Sequence, residues 1–216
     1  CPCKGCTVTA TLLASDTTYD QQMHEASLEI TISTSVSEAV EEKLSNITVV
    51  HEMYTLPDGE NPEANWTQMA DGKYPINAGK YRASITVSGQ TAVKEYTIKK
   101  APQSAPGKPT YMTNKDDASI TTDKLQVNEV QQSALVSTDT TNAETGKIGY
   151  DCHVEYAVVY DQGDGTQSEP EWQTARDFTL NTALTNYYVL VRYSEGTNYE
   201  ASAPARADSK YFFAGD

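Results

Sequence analysis

Residues 54–88 read YTLPDGENPEANWTQMADGKYPINAGKYRASITVS, and residues 160–194 read YDQGDGTQSEPEWQTARDFTLNTALTNYYVLVRYS. Laid one on the other without a gap, at an offset of 106, they share eight residues. Tyr54 meets Tyr160, Asp58 meets Asp164, Gly59 meets Gly165 and Glu63 meets Glu169. Trp66 meets Trp172, Asp71 meets Asp177, Tyr81 meets Tyr187 and Ser88 meets Ser194. Roughly two matches are expected by chance at average residue usage. Both tryptophans of the chain take part. The self-similarity predicts two copies of one unit in tandem, each of ordinary domain size.

The end of the first stretch says what kind of unit it is. Tyr81, Ala83, Ile85 and Val87 alternate with Arg82, Ser84, Thr86 and Ser88, the period of a half-buried strand. Gly89-Gln90 predicts a type II′ turn, and Ala92, Tyr96 and Ile98 continue on a return strand that ends at Lys99-Lys100-Ala101. In the second copy Tyr187, Val189, Val191 and Tyr193 repeat the pattern. Val154, Tyr156, Val158 and Tyr160 alternate ahead of a turn over 161–166, and Trp172 falls on the strand after it. Upstream, 7–13, 27–33 and 47–54 read as strands. Ser35 and Glu38 have capping-box spacing for a helical turn over 37–44. Pro57-Asp58-Gly59 reads as a polar loop, and the Thr-, Ser- and Asn-rich stretch 137–147 as an exposed one.

Pro102, Pro106 and Pro109 fall within eight residues, which predicts a short, semi-stiff linker over 102–110. The expected organisation is therefore a Cys-containing tail (1–6), a sandwich (7–101), the linker and a second sandwich (111–216). The fold class is all-β: two tandem immunoglobulin-like β-sandwich domains joined by a short Pro-rich linker. Tyrosine outnumbers phenylalanine 14 to 3, which suits half-buried strand faces where a ring packs and its hydroxyl reaches water.

Sixteen Lys and Arg against thirty Asp and Glu leave a net charge of −14, carried by both halves. Such an acidic coat opposes nucleic acid and anionic membranes as partners. No run of about 18 apolar residues is present to span a bilayer. The chain starts at Cys1 without a leader, as expected of a processed product or a piece of something longer.

The first unit resembles the MBG-type immunoglobulin-like repeats of bacterial surface proteins. The residues that carry this are Thr18-Tyr19-Asp20 with Gln22 and His24, then Asn77-Ala78-Gly79-Lys80-Tyr81, and Tyr96-Thr97-Ile98-Lys99-Lys100-Ala101. Gln21 stands where those repeats have glycine. The second unit resembles fibronectin-III-like repeats, through Ala105-Pro106-Gly107-Lys108-Pro109-Thr110, Val154-Glu155-Tyr156, Trp172-Gln173 and Tyr187 to Tyr193. Their Leu-x-Pro before the late tyrosine is missing. The resemblance implies a secreted or wall-attached protein, mainly of Gram-positive bacteria, and no catalytic residues.

Chemistry-bearing residues are few. Cys3 and Cys6 have C-x-x-C spacing, but four ligands make a structural zinc site and no second pair follows. An oxidised pair, the edge of a cysteine-rich module, or a lipidated Cys1 are the other readings. Cys152 reads as a small buried hydrophobe. His24, His51 and His153 stand apart from one another, and no nucleophile or metal motif accompanies them. Asp161, Asp164 and Glu169 crowd one loop without the order of a calcium loop, which favours a turn. Trp66 and Trp172, duplicated, are expected to pack the sheet rather than stack on sugars. Asn46 and Asn65 head formal glycosylation sequons.

No cofactor, metal or catalytic residue is expected. The expected function is a non-catalytic extracellular spacer or stalk segment at a cell surface or wall. The alternative is an adhesin or carbohydrate-binding module that meets a host glycan or protein through Tyr187, Tyr188, Tyr193 and Tyr199. Neighbouring domains of the same polypeptide are the remaining expected partners.

Overall fold

The computed structural model describes residues 8–32, 47–55, 66–87, 90–138 and 149–215. Cys1, Cys3, Cys6, the turn over 37–44, the loop at 57–59 and both sequon asparagines lie outside them. Two compact units divide the chain between Lys100 and Ala101.

The first unit holds β1 (Val8–Leu13), β2 (Thr17–Thr18), β3 (Ser27–Ile32), β4 (Val50–Tyr54), β5 (Trp66–Gln68), β6 (Gly79–Val87) and β7 (Gln90–Lys99). β1 and β3 form an antiparallel pair. The other sheet runs β2-β7-β6-β4-β5, antiparallel except that β2 lies parallel to β7. The period-two reading holds: Tyr81, Ala83 and Ile85 of β6 and Tyr96 and Ile98 of β7 are buried, with Leu12, Tyr19 and Ala26 in the same core. Gln90 pairs with Val87 and already belongs to the return strand, so it is not the turn residue the sequence suggested; Ser88 and Gly89 lie outside the described residues. Gln21, where the resembled repeats carry glycine, keeps the left-handed backbone at φ 68°. The Asp20 carboxylate braces that turn, accepting from Gln22 N–H at 2.9 Å.

The second unit holds β8 (Tyr111–Met112), β9 (Lys124–Val127), the single-turn α1 (Leu135–Thr138), β10 (Val154–Tyr160), β11 (Asp177–Thr179), β12 (Thr185–Tyr193), β13 (Ala205–Arg206) and β14 (Tyr211–Phe213). One sheet runs β11-β9-β8; the other runs β10-β12 with β13 and β14 both paired to β12. Leu125 and Val127 of the first sheet pack against Val154, Tyr156, Tyr187, Val189, Val191 and Phe213 of the second. The chain is thus all-β, a pair of immunoglobulin-like β-sandwich units.

The repeat has a structural counterpart. Tyr81 Oη donates to the Asn77 carbonyl at 2.8 Å, and Tyr187 Oη donates to the Thr182 carbonyl at 3.0 Å. Each is a tyrosine near the start of the same strand, tied back to the corner before it, as in immunoglobulin-like sandwiches. The equivalence fails at Tyr54 and Tyr160. In the first unit Met53 pairs with Tyr81, whereas in the second Tyr160 pairs with Tyr187. Carried over by the 106-residue offset, that pairing has slipped by one residue, and a slip of one moves a side chain to the other face. Tyr160 therefore packs on Tyr187 in the core, with ring centroids 5.5 Å apart. Tyr54 lies on the open face against Trp66, at 5.2 Å.

Residues 101–110 are laid along the second unit rather than strung free ahead of it. Ala101 bridges Tyr199, with Ala101 N–H on the Asn198 carbonyl and Glu200 N–H on the Ala101 carbonyl. Gln103 Nε2 donates to the carbonyls of Ser194 (3.0 Å) and Glu200 (2.6 Å), and Tyr150 Oη donates to Gln103 Oε1 at 2.8 Å. Pro106 and Pro109 are buried. The prolines lack donors, and Ala101 and Gln103 on either side of Pro102 supply the bonds.

Candidate functional site

Of the four tyrosines expected to face a ligand, three are interior. Tyr187, Tyr193 and Tyr199 are 4%, 8% and 4% exposed. The first two lie on the core side of β12, because residues two apart in a strand share a face. Their hydroxyls are spent on backbone: Tyr187 Oη also accepts from Thr182 N–H at 2.8 Å, and Tyr193 Oη donates to the Gln131 carbonyl at 3.1 Å. Tyr199 packs on Tyr150, with centroids 5.3 Å apart. Tyr188 alone of the four sits on the open face.

The tryptophans, expected to pack the sheet, lie on it outside the core. Neither fills a core; both are half-buried on the open side of the larger sheet. Arg82 lies over Trp66 at 4.6 Å from the ring centroid. The same guanidinium grips Glu52, Nε to Oε2 at 2.6 Å and Nη2 to Oε1 at 3.0 Å. In the second unit Arg192 lies over Trp172 at 4.2 Å, and its Nε donates to Glu155 Oε2 at 2.8 Å. A second stack accompanies each: Lys80 over Tyr54 at 5.6 Å, and Arg206 over Tyr188 at 3.6 Å. Each unit therefore presents one tryptophan, one tyrosine and two cations on the same face.

The partnership was hard to see in sequence because Arg82 aligns with Tyr188 and Arg192 with Thr86. Strand register brings each arginine to its tryptophan and carboxylate: Glu52 opposes Arg82, and Glu155 opposes Arg192. Stacked guanidinium covers ring area that a sugar would need.

Ser194, His153 and Glu155 come together in a way that spacing did not reveal. Ser194 Oγ lies 3.2 Å from His153 Nδ1, and His153 Nε2 lies 3.5 Å from Glu155 Oε1. One tautomer satisfies the string, with Ser194 donating to Nδ1 and Nε2–H facing the carboxylate. It works as a brace rather than a nucleophile's relay. Ser194 is 4% exposed, its oxygen already accepts from His153 N–H at 3.0 Å, and Glu155 is engaged by Arg192.

The other candidates are locally absorbed. Asp161 accepts from Asn186 Nδ2 and Tyr188 Oη, both at 3.0 Å. These bonds hold its carboxyl below the usual range, the Asn186 bond contributing most. The bond to Asp161 raises the Tyr188 phenol. Asp164 is lowered by the Thr166 side chain and backbone in a turn where Gly163 and Gly165 have φ 85° and 90°. Among the described residues, no group of three His, Cys, Asp or Glu side chains is placed to hold a metal ion. Cys152 is buried, its Sγ 3.6 Å from Gln103 Nε2. His24 bonds Asp20 at 2.9 Å. His51 is buried and takes a hydrogen bond from Ala26 N–H on Nε2 at 3.2 Å, with the Tyr74 ring edge-on at 5.4 Å. Burial lowers its pKa, against a smaller upward pull from Glu25.

No described helix is long and apolar enough to cross a membrane. No protein-family model matches the sequence, and no curated protein matches it significantly. Solved structures do. Domains from titin share 8% identity at a TM-score of 0.34, over 96% of this chain and 66% of theirs, so this chain spans about two thirds of that fragment. Fibronectin(III)-like modules of CbhA from Clostridium thermocellum share 13% at 0.27, over 95% and 94%. The chicken interferon gamma receptor alpha chain shares 10% at 0.30, over 94% and 97%.

Proposed function

We propose that this chain is a non-catalytic, extracellular spacer segment of a bacterial surface protein, one of the sandwich pairs that set a functional part at a distance from the cell wall. One observation carries the reading. Among the described residues, the groups nearest to a site are held by structural partners: Arg82 and Arg192 each by an indole and a carboxylate, the Tyr187 and Tyr193 hydroxyls by backbone, and Ser194, His153 and Glu155 by one another. The all-β architecture of two sandwich units and the acidic coat agree with it.

The test is display. The chain is placed between a wall anchor and an epitope on a Gram-positive cell, beside an unrelated sandwich pair of equal length. Equal antibody access for the two supports the reading; a buried epitope overturns the spacer role. Turnover of an ester, glycoside or peptide substrate by the purified chain, lost in Ser194→Ala, overturns the non-catalytic part.

A second reading is compatible with the first: a module that binds carbohydrate. It is favoured by a polar cleft in the second unit rather than by the four tyrosines.

A further inference from the structure

We propose that the second unit binds a neutral glycan in the cleft where residues 129–132 meet the start of β10, a site that rests on the carbohydrate-binding reading above. The cleft is a shallow one, open to solvent along its length, and offers about 750 Å³, within the range of small-ligand sites. Its polar lining comes from three segments: Glu129, Gln131 and Gln132 after β9, His153 leading into β10, and Thr174 and Arg176 ahead of β11.

The walls are held from behind. Tyr156 Oη accepts from Val130 N–H, and Tyr193 Oη donates to the Gln131 carbonyl, each at 3.1 Å, so two core tyrosines fix a stretch that has no regular structure of its own. On the other wall Gln173 exchanges both backbone bonds with Tyr156, and the Arg176 carbonyl accepts from Val127 N–H at 2.8 Å. The backbone is pinned while the side chains of Glu129, Gln131, Gln132 and Arg176 remain exposed. A ligand then meets a backbone already ordered by folding and has only the exposed side chains left to fix.

The donor set selects the class of ligand. Two carboxamides offer donors and acceptors together, and a guanidinium and a carboxylate each take two neighbouring hydroxyls. Glu129 and Arg176 cancel, so the lining is near neutral. The surrounding net charge of −14 repels a polyanion. Val130, Val154 and Tyr156 add apolar surface, but polar side chains make the larger part of the lining, which disfavours a purely apolar ligand. A polyhydroxylated, uncharged chain is what remains. His153 also touches Glu155, which holds Arg192 on Trp172, so occupancy reaches the indole.

The test titrates the full ¹⁵N-labelled chain with cellohexaose, xylohexaose, chitotetraose and mannohexaose, and with an oligogalacturonate as the anionic comparator. The expected result is saturable binding of one or more neutral oligosaccharides, with shifts centred on Gln131, Gln132, His153 and Arg176. Gln131→Ala and Arg176→Ala, both exposed positions, each weaken it about ten-fold or more. Trp66→Ala in the first unit leaves it unchanged. Neutral-oligosaccharide binding with shifts elsewhere overturns this site and spares the carbohydrate reading. No binding by any neutral probe overturns both. Preference for the oligogalacturonate overturns the neutral class.

Discussion

Tyr81, Tyr187 and Tyr193 fill the cores while both tryptophans lie on the open faces, and the partner each ring's polar end finds goes with its place. A phenol can sit in a core if its oxygen reaches a backbone group, and Tyr81, Tyr187 and Tyr193 all do so. Burial also raises the Tyr81 phenol to about 12. Tyr187→Phe keeps the ring and strands Thr182, so it is expected to cost about 1–3 kcal/mol in urea unfolding. The indoles do their work at the surface, under guanidinium. Trp66→Ala and Trp172→Ala are expected to cost about 1–2 kcal/mol each, the worth of a partly desolvated cation–π stack and its packing, not of an emptied core. Leu184 is 76% exposed with φ 57°, a left-handed backbone on a bulky residue. Leu184→Gly relieves about 1–2 kcal/mol of steric cost against about 0.5–1 kcal/mol of added chain entropy. A rise in melting temperature of a few degrees at most is the expected outcome.

Strand alternation was legible; strand register was not. The period of two in 81–87 and 187–193 named the buried face correctly, because that period is a local property of the pleat. The matching of Tyr54 with Tyr160 was misleading, because which residue opposes which is settled between strands far apart in sequence. The consequence is measurable. Tyr160→Ser removes a ring packed against the second core and is expected to destabilise by about 3–4 kcal/mol, within the range for emptying an aromatic site. Tyr54→Ser removes an open-face ring and should cost about 1 kcal/mol. Equal losses in urea titrations would contradict the register.

Across the two units, the boundary and the response to acid are the informative properties. Residues 101–110 contribute Gln103 and two buried prolines to the second unit. The candidate cleft was invisible as a motif because its residues come from three separated segments, brought together only when the sheets pair. In the first unit His51 must stay neutral to accept the Ala26 N–H. Its folded pKa lies below the ordinary 6.5, so the unfolded chain takes up a proton first as pH falls. The His51 contribution to stability is therefore full above pH 6.5 and shrinks from there down to the folded pKa, by up to about 1.4 kcal/mol per pH unit. Trp66 fluorescence in a Trp172→Phe background reports that unit, and its urea midpoint is expected to drop between pH 7 and 5. A flat profile would mean that His51 charges freely in the fold.

Local pattern was enough for the β class, the two-unit organisation and the alternation of the strands that carry Tyr81 and Tyr187, since each depends on residue type and short spacing. Tertiary packing decided the rest. It put Tyr199 against Tyr150, laid both tryptophans half-buried under arginine, joined the proline-rich segment to the second unit and assembled the cleft. The physical reason is common to all four: a side chain's surroundings are set by which distant strand lies beside it, and a shift of one residue in that pairing exchanges core for solvent.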